Sequence, residues 1–144
     1  MNLPNESKLF TNCQRDLDIR GEILSIVDAH IQNVSLITCI AGSIRSNHYH
    51  HNDYHFIYVL EGEIDYFYKN PRANDVKYLK VNTGDTIFTP NNELHATFFP
   101  INTRLIVSSR FPRDQETYEK DTVREKFITP ENIYEMLQKY SING

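Results

Sequence analysis

Cysteine is nearly missing: the 144 residues hold only Cys13 and Cys39, far apart and without a CxxC pair. That excludes a thiolate zinc motif and a disulfide framework, and both are expected to be free thiols in a reducing cytoplasm. Long apolar runs are missing too. No stretch approaches the roughly 18 to 20 apolar residues of a membrane span, and the opening MNLPNESKLF lacks the apolar run of a signal peptide. The expectation is a cytoplasmic protein with no membrane partner. Clustered positive charge is also absent. The net charge is -4, and the 15 lysines and arginines form no run of the kind that follows nucleic-acid phosphates, so no nucleic-acid partner is expected. With no low-complexity or like-charge tract, nothing reads as disordered.

What is present is ordinary for a globular chain: 40% hydrophobic and 24% charged residues. The length suits one domain over residues 1–144, able to bury roughly two thirds of the surface its unfolded form exposes. Residues 1–20 carry no clear period and read as an N-terminal arm or edge strand. From Gly21 a series of short segments begins: GEILSIVD, NVSLITCI, SNHYHH, HFIYVL, GEIDYFYK, VKYLKV, DTIFT, HATFF and TRLIVSSRF. Ile, Val, Tyr, Phe and Thr dominate them, and turn formers such as Asn52-Asp53, Glu61-Gly62, Thr83-Gly84 and Pro90-Asn91-Asn92 separate them. Strands at this spacing predict an all-β sandwich or barrel over residues 21–111. Residues 112–144 are a polar segment followed by a helix. Thr129 caps that helix, Pro130 and Glu131 suit its first turn, and Ile133, Met136, Leu137 and Tyr140 form an apolar stripe for the barrel's outside or a partner subunit.

Histidine is concentrated where chemistry is expected. Four of the six histidines fall within eight residues, at His48, His50, His51 and His55. On a strand, His48 and His50 project from one face with Cα atoms about 7 Å apart, close enough to converge on one ion. His51 points the other way and reads as a surface residue, and His30 as a loop residue. His55 opens the next strand after the Asn52-Asp53 turn. His95 opens a later strand, so three or four imidazoles can meet inside one barrel. Imidazole suits Zn, Fe, Ni, Cu or Mn, and the residues do not choose among them.

These segments resemble the two motifs of the cupin superfamily in order and spacing. The first motif runs Gly, five residues, His, one, His, three or four, Glu, six, Gly; here Gly42, His48, His50 and Gly62 match, with His55 at the Glu position. In the second, Gly84, Pro90 and His95 match, with Asn92 for a Gly and Phe99 for the final Asn. Asn tolerates a positive φ well, so Asn92 leaves the fold intact. The resemblance implies a double-stranded β-helix, or jelly-roll barrel, with a C-terminal α-helix. It also implies one divalent metal held by His48, His50, His55 and His95, and a homodimer formed through the N-terminal arm or an aromatic sheet face.

A looser resemblance links DLDIRGEI at residues 16–23 and the segment Arg45 to His48 to cupins acting on nucleotide-linked sugars, although Ser46 stands where Gly is usual. It implies an isomerase or epimerase of a small polar carbonyl substrate in surface polysaccharide synthesis. Arg45 is then the best phosphate or carboxylate ligand among Arg45, Glu61, Glu63, Arg104 and Arg110. An inward tyrosine, Tyr66, is the candidate proton donor. Two other readings stay open: a metal-dependent dioxygenase, and a binding module without turnover.

Overall fold

The computed structural model describes residues 3–10 and 14–140, so Cys13 lies outside the described residues. All nine expected strands form: β3 (Gly21–Leu24), β4 (Asn33–Cys39), β5 (Ile44–His50), β6 (His55–Glu61), β7 (Glu63–Lys69), β8 (Lys77–Asn82), β9 (Thr86–Thr89), β10 (Leu94–Phe98) and β11 (Thr103–Ser109). Three more strands and a second helix accompany them: β1 (Lys8–Leu9), β2 (Arg15–Asp18), β12 (Thr122–Arg124) and α1 (Gln115–Asp121), ahead of α2 (Ile133–Tyr140). None of the helices among the described residues is long and apolar enough to cross a membrane.

Two five-stranded antiparallel sheets face each other, in the orders β1-β9-β6-β11-β4 and β12-β5-β10-β7-β8. From β4 to β7 the chain changes sheet at each strand, and from β8 to β11 it does so again, which is the jelly-roll pattern that the cupin resemblance implies. Alternation along each strand then sorts the side chains. Ile57 and Val59, Leu105 and Val107, and Ile64, Tyr66 and Tyr68 point into the space between the sheets with Val81, Ile87 and Phe99. Phe67, Ala96 and Phe98 point outward from the second sheet, where Ile133, Met136, Leu137 and Tyr140 of α2 cover them. The apolar stripe of α2 thus closes the barrel's outside. Its start is the expected one: Thr129 accepts from Asn132 N at 3.3 Å, and Ile133 N reaches the Thr129 carbonyl at 2.9 Å.

The boundary expected at residue 20 falls inside a structural unit. β2 and β3 form their own hairpin, closed by Asp18, which accepts from Arg20 N at 2.8 Å. Only β1, beside β9, belongs to the barrel edge. The polar residues of this hairpin hid its alternation, because it buries neither face. The other exposed apolar side chains include Val34 and Leu36 on the outer face of β4.

One irregularity positions the site. β10 sets His95 opposite His48 but Ala96 opposite Ser46, so Asn47 is an extra residue in β5, and both Ser46 (φ 73°) and Asn47 (φ 58°) take left-handed backbone. This β-bulge re-aims the strand. Asn47 is held by the far end of the chain. Its Oδ1 accepts from Phe127 N and Ile128 N, each at 3.1 Å, and its Nδ2 donates to the Ile128 carbonyl.

Gly62, with φ 95°, links β6 to β7 where a Cβ would lie 2.7 Å from Asn102 O and 2.8 Å from Thr103 Cα. Gly42 also has positive φ, but no atom lies within 4 Å of its would-be Cβ. Backbone strain applies to both and a backbone clash only to Gly62. In urea unfolding, Gly62→Ala should therefore lose on the order of 3 kcal/mol and Gly42→Ala only about 1 kcal/mol.

Candidate active site

The bulge explains how the site is assembled. In a regular strand, Arg45 and His48, three residues apart, would face opposite ways. With Asn47 looped out, Arg45, Ser46 and His48 all line one cavity, together with His55 of β6 and His95 and Thr97 of β10. The inner wall is apolar, from Ile37, Ile57, Phe99, Leu105 and Val107. At about 140 Å³ the cavity has room for a group the size of about five waters, so a larger ligand must extend out of its mouth.

All four expected histidines are buried, and the structure brings them together. Ring centroids are 4.7 Å apart for His48 and His50, 4.9 Å for His48 and His95, 4.9 Å for His50 and His55, and 6.2 Å for His50 and His95. His50 is set behind the cavity wall, only 2% exposed. The tightest grouping of ligand-type atoms is His50, Asp53 and His55, all within 4.8 Å of one another. In the sequence Asp53 is a turn former beside Asn52. The structure places it inside, its Oδ2 3.1 Å from His55 Nε2 and its Oδ1 accepting from Phe111 N.

Burial dominates the electrostatics. It pushes His48 far below its usual range, with His95, His50 and His55 adding to the effect. Burial, and then His55, lower His50 to about 4 against the opposing pull of Asp53 and Asp121. Burial lowers His95 to about 3, although its hydrogen bond to the Glu93 carbonyl works the other way. Burial would raise Asp53, but the hydrogen bond and charge of His55 outweigh it and the carboxyl ends below its usual value. These three imidazoles are therefore neutral at pH 7, the form that binds metals and accepts protons.

The other expected residues divide. Arg45 reaches the cavity, its Nη2 also donating to the Thr38 carbonyl at 3.1 Å. Tyr66 does not line the cavity. It is fully buried behind His95, with rings stacked at 6.1 Å, and its hydroxyl is shared between Ser7 Oγ at 2.8 Å and Thr89 Oγ1 at 2.7 Å. Ser7 in turn bonds the Glu93 carboxylate, which burial pushes up to about 7. Arg104 is paired with Glu61, Glu63 with Lys80, and Arg110 stacks on Tyr54 and Phe111, so none of these lines the cavity. His51, one residue past the end of β5, is exposed, and His30 is exposed as well.

Two lining residues come from a segment with no motif at all. Helix α1, capped by Asp114 accepting from Thr117 N, carries Tyr118 over the mouth. The Tyr118 ring lies 6.1 Å from that of His48 and 5.5 Å from that of His50, and its hydroxyl makes no hydrogen bond to another described residue. The Arg113 guanidinium stacks on it at 5.6 Å. Only the return of β12 alongside β5, with Thr122 opposite His50, brings α1 here, and no local sequence signal announces it.

The fold has known relatives. Sugar 3,4-ketoisomerase QdtA from Thermoanaerobacterium thermosaccharolyticum, solved in complex with TDP, superposes with a TM-score of 0.68 at 17% identity over 98% of each chain. The RmlC epimerase of Mycobacterium tuberculosis matches with a TM-score of 0.66 at 10% identity, over 83% of this chain and 68% of that one. The capsular polysaccharide assembling protein CapF of Staphylococcus aureus matches with a TM-score of 0.61 at 17% identity, over 80% of this chain but only 34% of CapF. Among curated protein sequences nothing matches. The model of the cupin domain, however, matches residues 35–107. Since that span is half of the chain and carries all four clustered histidines in their strands, the protein belongs to the cupin family.

Proposed function

We propose that this cupin isomerises or epimerises a small keto-sugar carried on a nucleotide, in the synthesis of a surface polysaccharide. The observation that carries the reading is the pairing, in one cavity, of neutral buried histidines with two arginines at the mouth, Arg45 and Arg113. Room for a single ring-sized group inside and positive charge outside suit a sugar whose phosphates stay at the entrance. The activities named for the 3,4-ketoisomerase and the epimerase of the same fold support it.

His48, neutral and facing the cavity, takes the proton from the carbon next to the carbonyl. The electrons of that C–H bond form the enediolate. Returning the proton to the former carbonyl carbon, while the hydroxyl proton passes to the former carbonyl oxygen, completes isomerisation. Protonation of the original carbon on its opposite face by a water, with His48 giving its proton back to solvent, completes epimerisation. The negative charge of substrate and enediolate raises the basicity of His48 from its depressed value in the empty cavity. Tyr118 donates a hydrogen bond to the substrate oxygen, the role expected of Tyr66, whose hydroxyl is already engaged.

The donor set also fits a divalent metal. His50 Nε2 is buried without a hydrogen-bond partner, and His50 and His55, with Asp53, hold the closest ligand atoms, His48 and His95 adjoining them. A metal bound there would supply Lewis-acid polarisation of a substrate oxygen. Its identity among Zn, Fe, Ni, Cu and Mn is for analysis of the purified protein to decide.

Three measurements check this reading. With TDP-4-keto-6-deoxyglucose in deuterium oxide, the carbon next to the carbonyl should acquire deuterium, and His48→Ala should slow exchange by roughly 10²-fold or more. Absence of exchange with every keto-sugar nucleotide tried would count against the proposal. Protein purified without an affinity tag should carry about one divalent ion per chain and lose it in His50→Ala. Full turnover by metal-free protein would remove the metal while leaving histidine acid–base chemistry in place. Finally, because His50 and His95 have folded-state values below the unfolded value of about 6.5, their contribution is present above that pH and lost below it. In metal-free protein, stability should fall by about 1.4 kcal/mol per pH unit per histidine between about 6.5 and the folded values near 4 and 3. A flat profile over that window would contradict neutral burial.

A further inference from the structure

Thr122 sits at the junction of α1 and β12, and its hydroxyl makes two contacts. It donates to the Tyr118 carbonyl at 2.5 Å, and it lies 3.1 Å from His50 Nδ1. A hydroxyl has one hydrogen, and the carbonyl, which can only accept, takes it. Towards His50 the oxygen can therefore only accept, so Nδ1 must carry the proton. Two facts point the same way. The Asp121 carboxylate lies 4.0 Å from the same Nδ1, favouring an N–H there, and Nε2 is buried with no hydrogen-bond partner among the described residues.

We infer that Thr122 is a positioning residue that fixes His50 as the Nδ1–H tautomer, leaving the Nε2 lone pair directed into the histidine cluster. The same segment orients a second ring at one remove. Asp121 accepts from Asn52 N at 3.0 Å and Asp53 N at 2.9 Å, pinning the turn from which Asp53 holds His55 at 3.1 Å. The junction of α1 and β12 thus links the cavity residue Tyr118, through its own carbonyl, to the ring orientation of the cluster. This inference depends on the reading of His50 as a member of the site, but not on a metal being there.

Long-range ¹H–¹⁵N correlation of the metal-free protein at pH 7.5, with the His50 resonances identified by their loss in His50→Gln, reads the tautomer directly. The Nδ1–H form is expected in the native protein and in Thr122→Ser, which keeps the hydroxyl. Thr122→Val should show the Nε2–H form or a mixture. Titration with Zn²⁺ should show affinity weakened about 10- to 100-fold in Thr122→Val and near native in Thr122→Ser. An Nε2–H His50 in the native protein overturns the inference whatever the variants do. So does Thr122→Val, its folding confirmed by circular dichroism, if it retains the Nδ1–H form. Should all forms of the protein fail to bind Zn²⁺ while the tautomer follows Thr122, the metal reading falls and the positioning role stands.

Discussion

Imidazoles packed against one another inside a barrel, as those of His48, His50 and His95 are, have to be neutral, because protonating one places a charge in a low-dielectric interior beside other rings. A neutral imidazole in turn demands a fixed acceptor for its single N–H if its other nitrogen is to serve as base or ligand. The acceptors come from widely separated parts of the chain. The Glu93 carbonyl serves His95, the Asp53 carboxylate His55, and the Thr122 hydroxyl His50. Much of the molecule beyond the barrel can be understood as what is needed to hold those acceptors still.

The C-terminal fifth shows this most clearly. Residues 112–140 leave the barrel at the end of β11, cross the mouth as α1, pair with β5 as β12, and run under the bulge before α2 covers the outer face of the second sheet. Asn47 fastens the passage at Phe127 and Ile128, and Asp121 fastens it at Asn52 and Asp53. The apolar seal of α2 anchors the far end. The wrap also brings Tyr118 and Arg113 over the cavity, so the elements that support the cluster are also the ones a substrate would meet.

The bulge in β5 plays a matching part from the other side. A left-handed backbone at Ser46 and Asn47 brings Arg45 onto the face of His48, joining a fixed positive charge to the cluster. Ser46 takes φ 73°, a left-handed backbone that glycine would adopt without strain. Asn92, at φ 60°, fills another glycine position in the way its side-chain chemistry allows.

The residue order determined a good deal by itself. Period-two alternation and turn formers specified nine strands, because a strand that buries one face must write that face into every second residue. The spacing of His48 and His50 specified a shared face, since positions two apart point the same way. The cap at Thr129 and the stripe of α2 were equally local. What tertiary structure alone decided is whatever depends on a partner distant in sequence. The hairpin β2–β3 and the segment α1–β12 are polar, bury little and carry no period. Tyr66 and Tyr118 are both tyrosines near histidines, yet one has its hydroxyl tied to Ser7 and Thr89 and the other faces the cavity. Asp53 looks like any turn residue until Phe111 and His55 close around it. Periodicity records which way a side chain points, and a hydrogen bond records what it meets. The first is a property of neighbours along the chain, whereas the second exists only once the chain has folded back on itself.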